Sequence, residues 1–166
     1  MKAHAAVTTE GGLIRHARLA PAREAALRAR HGLDDVYRAS FEMQPAPRVW
    51  VWSRAAPERP LAVRSHAGAN AILAALVAVI ADRNGSDLSA FVMLMPEEIA
   101  VIDLGSVTRV EQGWLESDGR RVVQAHFRGT DDTVAYAVRD RPGDHGPHAL
   151  QTSFQAFSAR LPPRRG

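Results

Sequence analysis

Cysteine is absent from this chain of 166 residues. That excludes a disulfide framework, a thiol nucleophile, a thiolate zinc site and iron–sulfur ligation. Lysine is almost absent as well: Lys2 is the only one, so arginine carries the positive charge. An arginine- and alanine-rich composition is also what a GC-rich genome produces, so the arginine count alone is no sign of phosphate binding. Long hydrophobic runs are missing. The longest, Ala71 to Ala81, is about half of the ~20 residues a membrane-spanning helix needs. Met1 to Ala20 shows no apolar stretch behind its basic residue, so no secretory signal is expected. The lack of a spanning run and of a secretory signal makes a cytoplasmic protein the expectation; missing cysteine does not bear on it.

What is present is an ordinary globular composition, 46% hydrophobic and 23% charged, with enough apolar side chain to rule out disorder over most of the chain. The length suits one domain. We expect residues 1–20 to form a flexible arm, 21–161 the domain and 162–166 a tail. The net charge of +3 hides a gradient. Residues 1–66 carry +5, residues 67–140 carry −5 and residues 141–166 carry +3. The basic ends suit an anionic partner, or the acidic middle of the same or another subunit.

Helix and strand signals alternate in a definite order. Pro21 suits a first helical turn and Gly32 a helix end, with Leu27 the one large apolar residue between them, so a surface helix is predicted. Residues 36–43 alternate, placing Tyr37, Ala39, Phe41 and Met43 on one face. Residues 48–54 place Val49 and Val51 on one side and Trp50 and Trp52 on the other, which requires cover on both faces. A short strand at 61–66 follows. Residues 69–83, apolar nearly all round, read as a buried central helix that Gly85 ends. Strands are expected at 88–95, 99–104, 107–116, 121–128 and 133–139, with Asp118-Gly119 marking a hairpin turn. Leu150, Phe154, Phe157 and Leu161 form one stripe of a last helix that opens near Pro147. The order α-βββ-α-βββββ-α, with short connections, predicts an α+β domain: a curved antiparallel sheet packed on one buried helix, with an N-terminal surface helix and a C-terminal amphipathic helix.

No constellation demands catalysis. Arg64, Ser65, His66, Gly68 and Asn70 precede or open the central helix, where free N–H groups attract anions; helix capping explains the same residues. Asp144, His145 and His148 are weak candidates for zinc or nickel, since Gly146 and Pro147 interrupt them and a structural site takes four ligands. No metal and no cofactor is expected. Asp103 and His126 lie on strands as a formal acid–base pair, without a nucleophile beside them. Arg15, Arg18, Arg23, Arg28 and Arg30 suit phosphates, but acidic residues dilute them and no aromatic is interleaved for base stacking. Tyr37, Phe41, Trp50 and Trp52 suit a core, a pocket or an interface.

The leading expectation is a non-enzymatic binding or assembly module, self-associating or holding a protein partner through the strand of Trp50 and Trp52 or through a sheet face. The alternatives are a small-ligand protein or enzyme with an apolar pocket between sheet and central helix, taking a small apolar or anionic ligand with His66, Arg64 or Asp103 at its mouth, and a nucleic-acid binder using the N-terminal arginines. No membrane partner is expected.

Overall fold

Pro21 opens helix α1 (Pro21–His31), and Gly32 ends it in the left-handed conformation at φ 60°, its N–H on the Arg28 carbonyl. Both residues act as their backbone chemistry dictates: proline has no N–H to lose in a first turn, and glycine has no Cβ to clash at positive φ. The structure is a computed structural model that describes residues 19–42, 48–57, 60–63, 69–86, 89–95, 98–114, 119–138 and 147–160. Beyond α1 come β1 (Val36–Glu42), β2 (Arg48–Ser53), β3 (Leu61–Val63), α2 (Ala69–Asn84), β4 (Ala90–Leu94), β5 (Glu98–Asp103), β6 (Val107–Trp114), β7 (Arg121–Phe127), β8 (Thr133–Ala137) and α3 (Pro147–Arg160). This is the expected α+β order.

The eight described strands divide into two antiparallel sheets where the sequence predicts one curved sheet. One has five strands in the order β3-β2-β1-β5-β4, the other three in the order β6-β7-β8. The break falls at a 3-10 turn, Leu104–Ser106, which redirects the chain after β5. The β5 backbone is already paired on both sides, by β1 and β4, so β6 has no place in that ladder and pairs with β7.

The five-stranded sheet is the middle layer. Residues 71–80 of α2 are all buried, and Ile72, Leu76 and Ile80 pack with Val36, Ala39, Phe41, Val49, Val51 and Val101 in one apolar cluster. The opposite face supplies Phe91, Met93, Ala100 and Ile102 to a second cluster with Val123, Ala125 and Phe127 of the small sheet and Leu150 and Phe157 of α3. Complete burial of one such side chain contributes about 2 kcal/mol. No described helix is long and apolar enough to cross a membrane.

Strand β1 departs from simple alternation. Val36 pairs with Ser53 but Arg38 pairs with Trp52, so Tyr37 is an extra residue, a β-bulge. The bulge moves Tyr37 off the face predicted for it. Ala39 and Phe41 stay under α2 with Val36, whereas Tyr37 joins the second cluster. An extra residue breaks the two-residue period, so two successive side chains turn to one side.

Candidate functional site

Tyr37 and Arg38 both reach Asp132, which lies on the turn between β7 and β8. The Tyr37 phenol donates to Asp132 Oδ2 at 2.5 Å. Arg38 Nε donates to the same oxygen at 2.9 Å and Arg38 Nη2 to Oδ1 at 3.2 Å. The turn is held in place by its own chain, with Asp132 N–H donating to Thr130 Oγ1. The Arg38 guanidinium also lies 3.6 Å from the centre of the Trp52 ring, and the Tyr37 and Phe127 rings sit 4.8 Å apart. A cation on an indole, forked to a carboxylate with little water around it, is one of the stronger polar arrangements available to a protein.

The buried Tyr136 phenol lies in the same field. Burial pushes its titration above the ordinary range; Arg38 opposes that, and the carboxylates of Glu98 and Asp132 add to it. Burial likewise raises Tyr37, with the hydrogen bond to Asp132 contributing.

The same face carries a second set of side chains. Alternation on β1, β2 and β5 puts Arg38, Ser40, Glu42, Trp50, Trp52 and Glu98 on the side away from α2. Ser40 stands between Trp50 on one neighbouring strand and Ala100 on the other, and its hydroxyl donates to Glu98 Oε2. Glu42 stands directly opposite Glu98. Trp50, Trp52, Glu42 and Glu98 are half-buried. Strand β3 closes this flank as an unpaired edge, with Ala62 opposite Trp50. On β3, Leu61 is 55% exposed; it and Trp114 are the exposed large hydrophobics among the described residues.

A second polar cluster serves the fold. Asp103, with no exposed surface, accepts from Arg83 Nη1 at 2.7 Å, Asn84 Nδ2 at 2.6 Å, Ser106 Oγ at 2.6 Å and the Gly105 N–H at 2.9 Å. Arg83 also donates to the Val36 and Asp34 carbonyls. This network joins the end of α2 to β5 and the start of β1.

The residues singled out from sequence scatter. Tyr37, Trp50 and Trp52 share the face away from α2, while Phe41 is buried under the helix. Asp103 and His126 are not brought together: Asp103 is enclosed by Arg83 and Asn84, and His126 meets Glu111 at 3.0 Å on the outer face of the small sheet. Arg28 is shared among Asp34, Asp82 and Glu24 at 2.8, 3.4 and 3.9 Å. Arg23 and Arg30 are exposed on α1. Arg15, Arg18, Arg64, Ser65, His66, Gly68, Asp144 and His145 lie outside the described residues, as do the side chains of Asn70 and His148. Ser40, Glu42, Glu98 and Asp132 carry no sequence signal that marks them; pairing registers reveal the first three and side-chain contacts reveal Asp132. No family model, curated protein or solved structure matches the chain.

Proposed function

We propose that the chain is a non-enzymatic binding and assembly module of the cytoplasm that self-associates through the β2–β3 flank of its larger sheet. The observation that carries this reading is the character of the β3 edge. Exposed sheet edges are templates for another strand, and proteins blunt them with charge, cover or bulges. On β4, the opposite edge, the described side chains of Ala90, Phe91, Val92 and Met93 are all buried. Edge strand β6 displays Arg109 and Glu111. Strand β3 reads Leu-Ala-Val, has no charge of its own and leaves Leu61, opposite Val51 on the α2 side, largely in water. A second copy laid antiparallel across Ala62 would bring Leu61 of each chain against Val63 of the other. That is the self-complementary pattern of a two-fold interface.

Asp103, the acid that the sequence offers for catalysis, is engaged in holding the fold by Arg83 and Asn84. The test is sedimentation velocity of the full chain across concentration, with Leu61→Lys and Trp50→Ala. The expected result is a concentration-dependent oligomer that Leu61→Lys disperses while its melting temperature stays within about 2 °C, since exposed substitutions change stability by about 0.5 kcal/mol or less. A wild-type chain that stays monomeric, or an oligomer indifferent to both variants, overturns the reading.

A further inference from the structure

We propose that Asn84 is a site of spontaneous covalent modification, deamidation to aspartate or isoaspartate, which the closed fold holds off and which keeps the fold from closing again once it has occurred. Asn84 ends α2 and is followed by Gly85, an exposed residue with open space where a Cβ would stand. No side chain therefore shields the Gly85 nitrogen. As that nitrogen gives its proton to water, it attacks Asn84 Cγ. The new N–Cγ bond closes a cyclic imide, and the Cγ–Nδ2 bond breaks to release ammonia. A water molecule then opens the imide. Cleavage of the N–Cγ bond gives aspartate; cleavage of the original peptide bond gives isoaspartate. The balance is one water consumed and one ammonia released, with no change of oxidation state.

The folded chain opposes ring closure twice. Asn84 has helical backbone, and the Ser86 N–H donates to the Ala81 carbonyl at 3.1 Å, which wraps Gly85 over the helix end at φ 65°. The imide requires the Gly85 nitrogen to eclipse Asn84 Cβ about the Cα–C bond, a rotation outside the helical region. The side chain is held as well. Asn84 Nδ2 donates to Asp103 Oδ1 at 2.6 Å, and the amide fills the space that a Cβ on Gly105 would take. To cyclise, the amide must leave Asp103, a carboxylate with no exposed surface, and the loss of a donor to such a group is costly. Modification therefore proceeds from an open form of the α2 end.

The product reverses the contact. The group that donated to Asp103 becomes a carboxylate, which has no hydrogen to give and carries the same charge as its neighbour. Arg83 is the cation on Asp103 among the described residues, and it also serves the Val36 and Asp34 carbonyls. Two carboxylates facing each other there require an added proton to close. The junction of α2, β5 and β1 is thus the part of the molecule that ageing of the chain loosens.

The test keeps the full chain in mildly alkaline oxygen-18 water, with and without urea, and follows deamidation by peptide mapping. Asn70, followed by Ala71, is the internal reference. The expected result is that Asn84 reacts well ahead of Asn70 in urea and more slowly, by about tenfold or more, in the folded chain. Ser106→Ala removes another donor to Asp103 and should raise the folded-state rate by about fivefold. The consequence is read from Asn84→Asp against Asn84→Ala, which loses the same donor without adding charge. At neutral pH Asn84→Asp should melt about 5 °C lower than Asn84→Ala. Repulsion raises the added carboxylate's affinity for a proton in the folded state, so the gap should narrow towards about pH 4. Equal rates for Asn84 and Asn70 in urea, equal rates for Asn84 folded and unfolded, a Ser106→Ala rate unchanged, or Asn84→Asp as stable as Asn84→Ala at neutral pH overturns the proposal. If Asn84→Asp does not fold, the rates in the wild-type chain and in Ser106→Ala decide.

Discussion

The Tyr37 hydroxyl and the Asp132 carboxylate meet at 2.5 Å across the gap between the two sheets, although 95 positions separate them in the chain. Each depends on the other's neighbours: the bulge aims Tyr37, and Arg38 holds Asp132 on its other side. Replacing Asp132 by Asn leaves Arg38, whose side chain is 12% exposed, without its counter-charge. The expected loss is about 2 kcal/mol. Tyr37→Phe should cost about 1 kcal/mol. The double variant should cost less than the sum, because one carboxylate is shared. Urea unfolding of the three variants measures all of this.

The enclosed Asp103 makes a stronger demand. Arg83→Met removes the cation from a carboxylate with no access to water and should cost about 3 kcal/mol. Changing both residues, Arg83→Met with Asp103→Leu, should recover part of that loss, since no buried charge remains. Thermal denaturation followed by circular dichroism separates the cases. A double variant weaker than the single one would show that the backbone carbonyls held by Arg83 matter more than its charge.

Two glycines should respond oppositely to alanine. A Cβ on Gly105 would land on the Asn84 side-chain amide, the group that donates to Asp103, so Gly105→Ala should cost about 2 kcal/mol. A Cβ on Gly113 meets Val122 Cγ2 at 3.7 Å, an ordinary contact. Gly113→Ala should be neutral or stabilise by about 0.5 kcal/mol, because strand glycine carries an entropic cost. Paired urea curves decide both.

The two raised tyrosines set the alkaline limit. Their phenols lose protons less readily in the folded chain than in the unfolded one, where the ordinary value is 10.0. Their contribution is therefore complete below pH 10 and is lost as pH rises above it, because the unfolded state sheds the proton first. Stability should fall with pH above 10, and Tyr136→Phe should flatten that fall. A slope unchanged in Tyr136→Phe would place the loss elsewhere.

The element order could be read from residues because it rests on local chemistry. Pro21 and Gly32 bracket α1, the unbroken apolar stretch of 71–80 marks the buried helix, and Leu150 with Phe157 marks the inner side of α3. The division into two sheets was not readable, since it depends on β5 being paired on both edges by strands far off in sequence. The bulge escaped for a related reason. Period-two reasoning assumes an unbroken ladder, and one added residue sends Tyr37 to the other layer. Trp50 and Trp52 could be singled out as residues needing cover. Their carboxylate neighbours could not, because Glu42 beside Glu98 is a fact of register between β1 and β5 and of nothing nearer.

That same ladder governs the order in which the chain can assemble. Five pairings join strands consecutive in the chain, β1 with β2, β2 with β3, β4 with β5, β6 with β7 and β7 with β8, and can close early. The β1–β5 ladder brings Ser40 within hydrogen-bond reach of Glu98, 58 positions away, and its loop-closure entropy is met before any of its contacts forms. The rate-limiting event in folding is therefore expected to be the seating of β5 against β1. Until it happens, Phe91, Met93 and Ile102 have no layer to enter, and the small sheet has nothing to close against.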